Sequence, residues 1–293
     1  MIDWLKYYPI ELRNDHSLEN RETPKGPDFS KSKTYDFNID NNVISFKCPQ
    51  HRPYKSYYES FTASEKQDLS KLKFHEFNRD TMPDDSWLSQ TICKRDWAFY
   101  GPWFTGPQYQ LSLSVSIITK RNHPENESFL YPSAFENAIA SYLTSLYAHD
   151  IHNDSHNWNA PVNWKSISML DIFAARFDAT PSTDNDEGQL KHTLCFPVTD
   201  RHILLVEFTP RIFSYNKKIS YDNLLKLIDT KPMFNLIENI ISSFSIKPTQ
   251  EIISVISNPD NNSTLTKSFP PLKWDRDLGA FEGHTDKIAA DQS

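Results

Sequence analysis

Gln110-Leu111-Ser112-Leu113-Ser114-Val115-Ser116-Ile117-Ile118-Thr119 alternates apolar and polar side chains with a period of two. Leu111, Leu113, Val115 and Ile117 fall on one side of an extended chain, and Ser112, Ser114 and Ser116 on the other. An extended strand separates these sets, burying the first against a core and leaving the second in a polar setting. The stretch predicts a β-strand over 110–119. Downstream, Pro132-Ser133 precedes Phe135, Ala138, Ile139, Tyr142, Leu143, Leu146 and Tyr147. Steps of three and four residues put these side chains on one stripe of a helix. The spacing predicts a helix over 133–149, with Ser133 and Glu136 in capping-box positions.

Working outward, Tyr35, Phe37 and Ile39 alternate with polar residues, Asp40-Asn41-Asn42 follows, and Ile44, Phe46 and Cys48 resume the alternation. That is the signature of a hairpin. Weaker strand signals lie near 54–61 and 72–79. Further strand-like runs cover 167–178, 190–197 and 202–209, joined through the turn formers of 184–188 and Thr199-Asp200-Arg201. Residues 222–229 read as a short helix. A second long helix begins near Pro232, with Met233, Leu236, Ile237, Ile240, Ile241 and Phe244 as its apolar stripe, and Pro248 stops it. Strands, a helix, three more strands and a closing helix predict an α+β fold: a mostly antiparallel sheet packed against two amphipathic helices. The expected organisation is an extended lead-in over 1–34, one domain over 35–247, and an irregular or partly disordered arm over 248–293.

Composition narrows the function classes. The chain has 293 residues, with 31 basic against 38 acidic and a net charge of −7. A protein gripping nucleic acid needs a basic field, so nucleic acid is excluded as the expected partner. Six glycines leave no glycine-rich phosphate cradle, and no P-loop, GxGxxG, GxSxG or EF-hand pattern occurs. No cofactor is expected. Cys48, Cys93 and Cys195 contain no CxxC pair and read as buried reduced thiols. Asp3 and Pro9 interrupt any signal-peptide core, and no run approaches the ~18 apolar residues of a membrane span. A cytoplasmic location without membrane contact is the expectation.

The stretch Ile203-Leu204-Leu205-Val206-Glu207-Phe208-Thr209-Pro210, followed by Ile237, Ile240, Ile241, Ser243 and Phe244, resembles the closing strand and helix of the PsbP-like fold. That fold includes DcrB-type bacterial proteins and small adaptors of secreted toxins, and the opening hairpin from Tyr35 to Phe46 sits where it starts. The resemblance spans roughly 35–247 and is one of pattern; domains of that family are usually shorter. It implies a non-enzymatic binder.

Three constellations are candidate sites. His149-Asp150-Ile151-His152-Asn153-Asp154-Ser155-His156 would, if helical, put three imidazoles on one face, with His152 and His156 spaced to share a metal ion. Asn153 stands where an HExxH protease has its glutamate, and the surrounding loop formers favour a helix end. The segment 97–109 carries six aromatics and is broken up by two Gly-Pro turns. Tyr100, Trp103 and Phe104 are its candidate anchors for a protein partner, against a reading as a strand and turn whose aromatics close one end of the core, with Gly101 and Gly106 supplying unusual backbone angles. Asp171, Arg176, Glu207 and Arg211 lie in or beside apolar strands and read as an acid/base set or, more simply, as structural ion pairs.

The acidic balance favours a basic partner, a toxin or effector domain, and adds Asp184, Asp186 and Glu187 as candidate partner-binding residues. The leading functional expectation is a non-enzymatic bacterial protein-binding module, an immunity protein or antitoxin of the kind associated with type VI secretion. The alternatives are a metal-dependent hydrolase on His149, His152 and His156, and a secretion chaperone for an effector.

Overall fold

A computed structural model describes residues 23–55, 58–63, 66–67, 72–76, 87–101, 106–125, 127–152, 155–167, 172–182, 190–213, 228–258 and 264–274. The decisive strand is present as β7 (Pro107–Lys120). It pairs antiparallel on one side with β6 (Trp87–Tyr100) and on the other with β13 (Ile203–Ile212). Beyond β13 follow β12 (Lys191–Pro197), β11 (Ala174–Pro181) and β10 (Trp158–Ile167), each antiparallel to the last. This main sheet is α+β in character and antiparallel along its path.

Side-chain alternation divides the core in two. Leu111, Leu113, Val115, Ile117, Leu194, Phe196, Leu204, Val206 and Phe208 enter one cluster. Their strand neighbours Ile118, Cys195, Ile203 and Leu205 enter the other. The clusters therefore lie on opposite faces of the same sheet. Each fully buried Leu, Val or Ile contributes about 1.5–3 kcal/mol.

The first face is covered by a smaller sheet and a helix. Strands β1 (Lys33–Ile39) and β2 (Asn42–Cys48) form the predicted hairpin, register Ile39 to Asn42. Asp40 and Asn41 both take positive φ, 45° and 69°, as a two-residue turn matched to strand twist requires. Asn42 is buried: its Nδ2 donates to the carbonyls of Ile39 and Val198, and its Oδ1 accepts from Thr249 N–H. One amide thus ties the small sheet to the β12–β13 turn and to the chain beyond the closing helix. That closing helix, α2 (Lys231–Ser242), buries Met233, Leu236, Ile237, Ile240 and Ile241 in the first cluster. Phe244 packs beyond its end, stacked on Phe46 at 4.6 Å.

The second face carries α1 (Pro132–Tyr147), which buries Phe135, Ala138, Ile139, Tyr142, Leu143 and Tyr147. The expected capping box does not form. The helix starts one residue earlier, with Tyr131 at the cap and Pro132 in the first turn, and no side chain caps it. Glu136 is engaged elsewhere, accepting from the backbone N–H and hydroxyl of Thr266.

Three further elements differ from expectation. β6 is a 14-residue strand whose end fits the strand-and-turn reading of the aromatic segment but whose start, at Trp87, lies where no strand was expected. β10 continues the sheet past β11, with register shifts near Val162 and a left-handed Asn163. After α2, β14 (Ser245–Lys247) pairs with β2, and the region expected as an irregular arm over 248–293 contains a helix α3 (Gln250–Ile256) capped by Thr249 and residues 264–274 packed on the α1 side. The outer edge of β6 is paired along its length by Lys25, Arg52, β3 (Phe61–Thr62) and β5 (His75–Glu76), which leaves little of it open to strand addition. No helix among the described residues is long and apolar enough to cross a membrane.

Candidate functional site

The histidine segment does not continue the helix. α1 ends at Tyr147, and β8 (Ile151–His152) pairs with β9 (Ser155–His156) as a small hairpin. The shared helical face on which the i, i+4 metal reading rested is therefore absent, because His152 and His156 lie on paired antiparallel strands. His156 Nε2 donates to the Trp274 carbonyl at 3.1 Å, and its ring stands edge-on to that indole. The Asp150 carboxylate is taken by Asn157 Nδ2 and Trp158 Nε1. Among the described residues no group of three His, Cys, Asp or Glu side chains is placed to hold a metal ion.

The aromatic segment divides. Trp97, Phe99 and Tyr109 are core residues, with Phe99 and Tyr109 rings 4.6 Å apart. Gly26 packs so tightly on Phe99 that an added Cβ would sit 2.1 Å from its ring. Gly106 supplies the left-handed angle, φ 69°, at the turn between β6 and β7. Tyr100 is half-buried, and its backbone pairs with Lys25. Trp103 and Phe104 lie outside the described residues, as do Asp171, Asp184, Asp186 and Glu187.

Two polar constellations emerge that the sequence did not display as units. The first runs across the α1 side of the main sheet. Register places Glu207 opposite Ser114 and Ser114 opposite Lys94; the next row aligns Thr209, Ser112 and Asp96. Ser112, Ser114, Ser116, Glu207 and Thr209 are all half-buried. Thr91 and Ser116 hydroxyls meet at 3.1 Å, and Ser116 and Ser114 at 3.3 Å. Ser112 Oγ and Gln110 Nε2 donate to Asp96 Oδ1, while the buried Oδ2 has no partner. Asp96 N–H donates to His51 Nδ1, so the His51 proton sits on Nε2, donated to the Tyr58 carbonyl. Lys191 closes the row, 3.8 Å from Glu207, with its ammonium over the rings of Tyr147 and Trp158. The serines were legible as the polar side of a strand; the ladder they form needed the register of three strands.

The second constellation lies on the opposite face, near the sheet edge. His192 is in register with Asp178, and its Nδ1 donates to the carboxylate at 2.6 Å. Asn163, held in its left-handed conformation, donates to the other oxygen at 2.8 Å. Burial alone would raise the Asp178 carboxyl, but the hydrogen bonds from His192 and Asn163 outweigh it and hold it below the usual range. His192 Nε2 is buried without a hydrogen-bond partner, and the ring lies edge-on to Phe234 of α2. A signal existed in the sequence: His192 shares strand parity with Leu194 and Phe196, so it had to face inward.

Beside this dyad, Arg176 grips Glu238 of α2 with two hydrogen bonds, at 2.8 and 2.6 Å. The pair realises the structural reading of Arg176. Its Glu238 side chain is 54% exposed. Replacing Arg176 with alanine is therefore expected to cost no more than about 1 kcal/mol, an effect that fades in high salt. Urea unfolding at 0.05 and 1 M NaCl checks this; a larger loss that persists in high salt would show the pair to be structurally essential.

No family model and no curated protein matches this chain. Among solved structures, its backbone is similar to that of LpqN, a protein involved in cell envelope biogenesis of Mycobacterium tuberculosis, with a TM-score of 0.27 and 11% sequence identity. The superposition covers 83% of this chain and 99% of that one. At that score the likeness decides neither fold nor function.

Proposed function

We propose that this chain is a non-enzymatic protein-binding module of the bacterial immunity kind, whose recognition face is the hydroxyl-lined half of the main sheet. The observation that carries this reading is the half-buried ladder of Thr91, Ser116, Ser114 and Ser112, with Thr209 and Glu207 beside it. Hydroxyls both donate and accept and rotate to suit, and short side chains lose little rotamer freedom when a partner settles on them. Such a face suits a polar protein surface. The net charge of −7 would steer a basic partner toward it. In this reading α2 and the small sheet support the main sheet from behind, while α1, on the same side as the ladder, flanks the face; both helices act as amphipathic supports. The PsbP-like resemblance, the cytoplasmic location and the toxin or effector as partner belong to the same proposal.

The test begins with co-expression alongside the products of adjacent genes, followed by purification of any complex. Ser114→Arg, placed in the middle of the ladder, is expected to weaken that complex at least 100-fold with the Tm of the free protein essentially unchanged. A complex that tolerates Ser114→Arg, or whose hydrogen-exchange footprint leaves β7 and β13 unprotected, would overturn the assignment of this face.

A further inference from the structure

Residues 264–274 cross α1 and β10 as an extended segment with no helix or strand of its own. Leu265 is buried, Phe269, Leu272 and Trp274 are half-buried, and the residues between them are exposed. The segment makes one backbone–backbone bond to the sheet, Leu272 N–H to the Ala160 carbonyl at 2.9 Å. Its remaining anchors are those of a bound peptide. Trp164 Nε1 donates to the Thr266 carbonyl, Thr266 donates to Glu136, Trp274 Nε1 donates to Thr144, and His156 donates to the Trp274 carbonyl. The Phe269 ring lies 5.2 Å from that of Trp164, and Trp274 lies 6.4 Å from Tyr147. Phe269-Pro270-Pro271-Leu272 is a sequence whose prolines pre-set an extended backbone, and aromatic-lined grooves take such segments at low entropic cost.

We infer that the channel between α1 and β10 is a peptide-recognition groove, filled in cis by residues 264–274, and that it takes a partner's extended segment of the same chemistry: proline-bearing, with aromatic or leucine anchors at its ends. The groove lies on the same side of the main sheet as the hydroxyl face and meets it at Tyr147, whose ring contacts Trp274 and carries the Lys191 ammonium. Its floor is built by folded elements, Trp164 from β10 and Glu136, Thr144 and Tyr147 from α1, so the site persists when the arm leaves. The arm is held by side-chain anchors and, among the described residues, by a single backbone–backbone bond to the sheet, so it opens at lower cost than the strands beneath it. Tethering raises its effective concentration to the millimolar range, which keeps the groove closed until a competing segment is abundant or better matched.

The experiment uses the whole chain with a protease site inserted between Asn258 and Thr264. The protein is purified intact and then cut. The probe is a fluorescein-labelled peptide of residues 264–274. The cut protein is expected to stay folded and to bind the probe saturably, at least about 100-fold more tightly than the uncut protein, where the tethered arm competes. Peptides carrying Phe269→Ala or Trp274→Ala are expected to bind at least tenfold more weakly. Unfolding on cutting would make the arm part of the core. A folded cut protein that excludes the probe, or takes the alanine peptides equally well, would show that no selective groove exists. An uncut protein that runs as an arm-exchanged dimer would give the groove to a second copy instead of a partner. Each of these three results overturns the inference.

Discussion

Trp97→Ala is expected to lower the unfolding free energy by about 4 kcal/mol, near the top of the range for a large aromatic removed from a core. Trp97 is fully buried toward the end of β6, opposite Leu111 of β7. Its indole Nε1 is shared by the carbonyls of Pro49 and Gln50, at 3.3 and 3.0 Å. The substitution therefore removes packing and a donor together, leaving two carbonyls that the folded chain had satisfied. The segment those carbonyls belong to runs on to Arg52, which covers the β6 edge, so loosening it also exposes a strand edge. Tyr100, three residues on and half-buried, provides the contrast: Tyr100→Ala is expected to cost about 1 kcal/mol or less. Urea denaturation followed by circular dichroism measures both. A Trp97→Ala loss below about 1.5 kcal/mol would mean that the β6–β7 core repacks around the gap, and the account of Trp97 as a core residue that holds the 49–52 segment would fail.

That contrast marks where sequence reading worked. β7, the β1–β2 hairpin, α1 and α2 were legible because each repeats its apolar residues with one period over most of its length. β6 was not. Lys94, Arg95 and Asp96 interrupt its pattern, yet Arg95 and Asp96 are buried because their partners come from elsewhere. Arg95 donates to the Phe61 carbonyl and to Thr62, and its guanidinium lies over the Tyr35 ring; Asp96 accepts from Ser112 and Gln110. A linear pattern cannot show a charge being satisfied from 34 residues away. β10 was hidden by Pro161 and by the bulges around Val162, which break alternation at a sheet edge. The arm was hidden for a different reason. Leu265, Phe269, Leu272 and Trp274 follow neither period because the segment conforms to a groove made by others.

Acid should expose a second weakness, at the junction of the two sheets. The His202 imidazole is expected to make the protein lose about 3 kcal/mol of stability between pH 7 and pH 4. Burial holds its pKa down to about 4; Asp40 and Asp200 pull it up without prevailing, and His123 and Arg201 push it down further. Thr199 Oγ1 lies 2.9 Å from Nδ1, and the ring stacks on Phe74 at 5.7 Å. The sign follows from proton uptake. Below the ordinary imidazole pKa of about 6.5, the unfolded chain binds a proton that the folded chain refuses, so stability falls as pH drops from there toward 4. Below 4 both states are protonated and this contribution stops changing. The carboxylates of Asp178 and Glu238, held low by their partners, add their own losses once pH falls to about 5 and below, where the unfolded chain's carboxylates begin to protonate, so the interval from about pH 6.5 to 5 reads the imidazole alone. His202→Gln keeps a polar group beside Thr199 but cannot titrate. Unfolding free energies at pH 7.0, 5.5 and 5.0 should decline in the parent protein and stay nearly level in the variant. Equal declines in both would show that His202 is not the acid-sensitive group. The turn it occupies also supplies the Val198 carbonyl to Asn42 and the Asp200 carbonyl to Phe129, so protonation there loosens the small sheet and the approach to α1 together.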